Sequence, residues 1–171
     1  MTISEQLSSS MEDYLEAIFH IAEKKQAARA KDIADRLSVN NSSVTGALRS
    51  LSEKGLINYA PYDLITLTEK GKKHARSVVR RHKALKDFFI RILCADETEA
   101  EETACKMEHT ISPDILERLI HFVEFVEICP RGGVEWIKGF GHYCEDGKTS
   151  ENCRKCLMGC LEQIGKSETQ V

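Results

Sequence analysis

Apolar positions recur at helical spacing through Met11, Leu15, Ile18, Phe19 and Ala22, with Ser10 placed as N-cap, so the chain opens on an amphipathic helix. Asp13 and Glu16 lie three residues apart and share one face of it. Residues 30–37, AKDIADRL, repeat the pattern with Ile33, Ala34 and Leu37 inward. Ser38-Val39-Asn40 makes a tight turn, and Asn41 or Ser42 caps a further helix to about Lys54, its buried stripe Val44, Leu48 and Leu51 and its stop Gly55. Helix, three-residue turn, helix is the helix-turn-helix pattern. Short β-like runs, Leu56 to Tyr59 and Leu64 to Thr68, flank Ala60-Pro61-Tyr62-Asp63 as a hairpin. A helix-turn-helix followed by a hairpin is a winged helix.

From Thr68 the period returns to helical. A long helix to about Cys94 is basic early (Lys70, Lys72, Lys73, Arg76) and apolar later (Leu85, Phe88, Phe89, Ile92). Thr98 and Glu101 are placed as a capping box for a helix ending near His109. Ser112-Pro113 starts another, in which Ile115, Leu116, Leu119, Ile120, Val123 and Val126 are too apolar for a lone surface helix. The fold class is therefore mainly α. A winged helix-turn-helix domain occupies residues 1–70, an all-helical dimerisation domain 71–128, and a short Gly- and Cys-rich tail 129–171. The chain is long enough for a real core, shows neither a signal peptide nor a transmembrane run, and is expected to be soluble and cytoplasmic.

Charge adds a direction to this plan. The net charge of -3 divides into -5 over residues 1–23, +10 over 24–91 and -8 over 92–171. A basic middle inside an acidic protein points to a local polyanion site, because phosphate attraction depends on local charge. Side chains at the start of a second helix of this type reach base edges in the major groove. Here those are Asn40, Asn41, Ser42, Ser43, Thr45 and Arg49, short hydrogen-bonding groups plus one long donor. Arg29, Lys31 and Arg36 on neighbouring helix ends suit phosphates, which fix register without reading sequence. Ser and Asn also serve simply as helix caps, an alternative that bears most on Asn41 and Ser42.

Cys105, Glu108 and His109 stand at i, i+3 and i+4, bringing a thiolate, a carboxylate and an imidazole to one helical face. Asp13, Glu16 and His82 sit on helices that packing could bring to the same place.

At this point the sequence resembles the DtxR/MntR family of metal-dependent transcriptional repressors. The resemblance runs over roughly residues 10–127, through SMEDYLEAIF, IADRLSVNNSSVTGALRSLSEKGLI, LTEKGKKHA, RRHKALKDFF and CKMEHTIS, in the family's order and spacing. It implies a homodimer on double-stranded operator DNA, with a regulatory metal held by Asp13, Glu16, His82, Cys105, Glu108 and His109. Asp13 and Glu16 match the manganese-sensing branch, whereas Cys-x-x-Glu-His matches the iron-sensing branch. The ligand set is thus a hybrid. A thiolate among nitrogen and oxygen donors favours Fe2+ over Mn2+, which stays the alternative; Zn2+ and Co2+ also fit chemically. At the iron branch's ancillary site His82 matches, but Lys86 replaces an acid and Glu101 replaces a histidine. The pattern of residues 129–171 does not suit the SH3-like domain common in the family.

Cys144 and Cys153-x-x-Cys156-x-x-x-Cys160 group four thiols near the end of the sequence, suiting Zn2+ or an iron–sulfur cluster. A cluster would make the tail a redox or iron-status input, which keeps open a winged-helix regulator that senses through it. An enzyme is the poorer reading: the chain has no nucleophile–base motif and no phosphate-binding Gly-rich loop.

Overall fold

The computed structural model describes residues 7–60, 64–128 and 134–147. The chain forms two compact units, Met1–Arg81 and His82–Val171. The first holds α1 (Ser9–Lys25), α2 (Ala30–Leu37), α3 (Asn41–Glu53), β1 (Ile57–Asn58) and β2 (Thr66–Leu67). The boundary falls inside α4 (Glu69–Arg91), and the second unit continues with α5 (Glu97–Met107), α6 (Pro113–Ile128) and α7 (Val134–Asp146).

In the first unit the apolar stripes of three helices meet. Leu15, Ile18, Ile33, Val44, Leu48 and Leu51 have no exposed surface, and Leu56 and Ile65 close the core from the strand side. Burying each such side chain is worth about 1.5–3 kcal/mol relative to leaving it in water. Strands β1 and β2 pair antiparallel, with Ile57 opposite Leu67 and Asn58 opposite Thr66, and Ala28 bridges Ile65. The expected hairpin is present but its ladder is shorter than the apolar runs; Pro61, Tyr62 and Asp63 lie outside the described residues.

Two backbone positions set the joints. Gly55 takes the left-handed conformation (φ 66°) that ends α3, and its N–H reaches the Ser52 carbonyl at 2.9 Å. Gly71 packs so closely that a Cβ there would lie 1.9 Å from the Leu56 carbonyl oxygen, so only glycine lets α4 start against the strand. Thr68 caps α4 as expected, accepting from Gly71 N–H at 3.0 Å.

Several expected ends move by one or two residues. The N-cap of α1 is Ser8, accepting from Met11 N–H at 3.4 Å, and not Ser10; in a Ser-Ser-Ser run the caps are chemically equivalent and packing selects one. Asn40, not Asn41 or Ser42, caps α3. In place of the Thr98–Glu101 box, Asp96 caps α5, accepting from Thr98 and Glu99 N–H, because a carboxylate beside free N–H groups outcompetes a hydroxyl.

The second unit packs Leu85 and Phe89 of α4 against Ala100 and Ala104 of α5 and Leu116 of α6. A second cluster joins Ile92, Val123 and Val126, with Ile137 of α7 against it. The residues after Cys129 are therefore not all irregular: α7 docks here, the Cys94 thiol donating to the Ile137 carbonyl at 3.5 Å. The other face of α6 remains open, with Ile115, Phe122, Phe125 and Ile128 exposed at 51, 42, 58 and 79%. Among the described residues no helix is long and apolar enough to cross a membrane.

Candidate metal centre and nucleic-acid interface

On the nucleic-acid side, the N-terminal turn of α3 is exposed while Val44, Ala47, Leu48 and Leu51 anchor it from behind. Three of its predicted readers have local work. The Asn40 side-chain oxygen accepts from Ser43 N–H at 2.8 Å and from the Ser42 hydroxyl at 2.6 Å. The Thr45 hydroxyl donates to the Asn41 carbonyl at 2.9 Å. Asn41, Ser43 and Arg49 present exposed side chains, and Arg29, Lys31 and Arg36 are exposed around α2. Of the basic residues that open α4, Lys73 and Arg76 are exposed.

The metal-ligand candidates divide between the units. In the first, Asp13 and Glu16 are partly buried on α1, and Glu16 lies 3.4 Å from His20 Nε2. Beside them Glu12 accepts from Arg81 at 2.7 Å with both side chains largely buried, tying α1 to α4. In the second unit, His82 from α4 meets Glu108 at the end of α5, and Glu108 also meets His109. The His82 Nδ1 donates to Glu108 Oε2 at 2.7 Å, and His109 Nε2 lies 3.4 Å from Glu108 Oε1. Glu108 has no exposed surface.

An ionised carboxylate this deep is costly unless an opposite charge accompanies it. Here that charge is the imidazolium of His82. Its pKa rises to about 9, chiefly through the hydrogen bond to Glu108 and then their attraction, against the opposing effect of burial. Glu101 adds to this from the other side, its Oε1 3.2 Å from His82 Nε2. Lys86 in turn reaches Glu97 at 3.1 Å and Glu101 at 3.0 Å, holding the Glu101 carboxyl below the usual range. A buried carboxylate between two imidazoles is a donor set suited to a divalent transition metal, which replaces a proton-borne charge with a larger one.

Cys105 does not share that burial: it is exposed one turn before Glu108. Spacing placed the three donors on one face; Glu108, the C-cap of α5 and still helical, is buried, whereas Cys105 is exposed. Cys144 is exposed on α7, and Cys153, Cys156 and Cys160 lie outside the described residues.

With this geometry in hand, known proteins give a consistent comparison. Residues 6–64 match the family model described as "Iron dependent repressor, N-terminal DNA binding domain", and residues 68–137 match "Iron dependent repressor, metal binding and dimerisation domain". An uncharacterised helix-turn-helix transcriptional regulator of Methanocaldococcus jannaschii is 43% identical over 119 residues, covering 69% of this chain and 95% of that one. The regulator MntR of Shouchella clausii is 38% identical over 118 residues, 69% of this chain and 82% of its own. Among solved structures, a manganese-dependent transcriptional repressor in complex with manganese aligns with a TM-score of 0.62 at 29% identity, over 67% of this chain. This chain spans only 53% of that protein's length.

Proposed function

Since this chain belongs to the DtxR/MntR family of metal-dependent transcriptional repressors, we propose that it is a cytoplasmic, Fe2+-responsive repressor of metal-uptake genes, binding a palindromic operator as a homodimer. The observation that carries this reading is Glu108, a carboxylate with no exposed surface held between the imidazoles of His82 and His109. The ligands are Asp13, Glu16, His82, Cys105, Glu108 and His109. A divalent ion bound there would add positive charge among four acidic donors, counting the thiolate.

The chain's own residues then do the rest. Asp13 and Glu16 ride on the first helix of the DNA-binding unit, and the other four belong to the second unit, so shared ligation couples the two. Asn41, Ser43 and Arg49 read base edges, Asn40, Ser42 and Thr45 hold the helix that presents them, and Arg29, Lys31 and Arg36 clamp phosphates. The open face of α6 supplies the dimer contact: four large apolar side chains at one helix surface exceed what an isolated surface helix leaves in water. Two recognition helices then address successive major grooves, about 34 Å apart.

Fe2+ is favoured because Cys105 adds a soft donor to imidazoles and carboxylates. The second reading is Mn2+, supported by the Asp13–Glu16 pair and by the similarity to regulators named MntR. Anaerobic titration of operator binding with Fe2+, Mn2+, Zn2+ and Co2+ separates them. The first reading expects Fe2+ to act at free concentrations below those for Mn2+, and Cys105→Ser to remove that preference. Equal or better response to Mn2+ in the native protein overturns it in favour of the second.

A further inference from the structure

His82 and Lys86 lie one turn apart on α4, and Glu97 and Glu101 one turn apart on α5. Their side chains make a continuous run of opposite charges: Glu97, Lys86, Glu101, His82, Glu108. Remove the ammonium from this run and the carboxylates of Glu97 and Glu101 are left at one position, with the other oxygen of Glu101 against His82 Nε2. That is a donor set which manganese, iron or zinc ions accept. We infer that Lys86 acts as a tethered cation between Glu97 and Glu101, so that the outer side of His82 takes no second divalent ion.

Geometry and burial support occupancy over stability as its role. Lys86 Nζ sits 3.1 Å from Glu97 and 3.0 Å from Glu101, with its side chain 26% exposed, whereas the two glutamates are 79 and 53% exposed. Ion pairs with such exposed partners contribute little to folding. A charge fixed by a covalent stem, however, is present at every metal concentration. Glu101 spends one oxygen on Lys86 and the other on His82, at 3.2 Å, so it also holds the imidazole whose far nitrogen faces Glu108. The number of ions bound at this centre is therefore set by one residue.

The inference rests on reading His82 and Glu108 as ligands of the regulatory ion, and its test separates the two. Mn2+ binding to the full chain is counted by equilibrium dialysis, a hard ion being chosen because the tail thiols bind it poorly. Lys86→Gln is expected to bind one more Mn2+ per subunit than the native protein, and Lys86→Arg to keep the native count. Adding Glu101→Gln to Lys86→Gln is expected to return the count to native, and Glu101→Gln alone to leave it unchanged. An unchanged count in Lys86→Gln overturns the inference, as does loss of an ion in Glu101→Gln alone. Failure of the underlying reading has a different signature: Glu108→Gln would then leave the native count unaltered, whatever Lys86→Gln does.

Discussion

The two units differ in what they leave unfinished. The DNA-binding unit buries its apolar stripes in itself: Leu15, Ile18, Ile33, Leu48 and Leu51 are fully covered, and no charged residue is buried among the described ones. The second unit inverts both habits. It exposes Ile115, Phe122, Phe125 and Ile128 and buries the carboxylate of Glu108. Folding alone does not favour either choice, since exposed apolar area forgoes stabilisation and buried charge costs solvation. Each makes sense only with something added, a second subunit for the first and a cation for the second. The difference teaches where regulation enters: the reader of DNA is complete, and its partner unit is built to be completed.

The comparison breaks most severely at the open face of α6. Phe125→Asp is expected to weaken dimerisation by roughly 100- to 10,000-fold, since each change occurs twice in a two-fold interface and a buried Phe is worth about 1.5–3 kcal/mol. Sedimentation equilibrium checks this. An unaltered dimer would place the contact elsewhere.

The self-sufficiency of the first unit is tested at Gly71. With a Cβ meeting the Leu56 carbonyl at 1.9 Å, Gly71→Ala forces backbone movement and is expected to cost about 1–3 kcal/mol in chemical denaturation. Metal should not restore the loss.

A smaller effect is expected from the buried ion pair of the second unit. Because the folded pKa of His82 stands at about 9, above the ordinary 6.5, its ion pair contributes fully below pH 6.5 and is lost as pH rises towards 9. Thermal melting of chelator-treated protein between pH 6 and 9.5 is expected to show this decline, and Glu108→Gln to flatten it. A native curve no steeper than that of the variant would remove Glu108 as the cause.

Much of this was legible beforehand, unevenly. The bounds of α2 and the inward stripe of α3 follow from periodicity, because a helix packed on one face writes its contacts at i, i+3 and i+4. Capping residues were less legible: runs such as Ser8-Ser9-Ser10 offer equal local chemistry, and tertiary packing decides. The second unit's segment α7 was missed because Gly139 and Gly141 depress helix propensity. Gly141 instead earns its place by proximity, a Cβ there lying 3.1 Å from the Cys94 sulfur. At the candidate centre, sequence supplied His82, Glu108 and His109, which the second unit gathers. It did not reveal that Cys105 stays exposed, nor that Lys86 and Glu101 extend the network, because helix ends and side-chain reach are not written in spacing.

The most direct measurement is operator affinity of chelator-stripped against Fe2+-loaded protein, made anaerobically for the native chain and for Glu108→Ala. At least about a 100-fold gain on loading is expected for the native chain, a coupling of about 3 kcal/mol. Glu108→Ala should stay at the stripped level with or without metal while retaining its helical signal. Equal affinity of stripped and loaded native protein, or a full metal response in Glu108→Ala, would contradict this expectation.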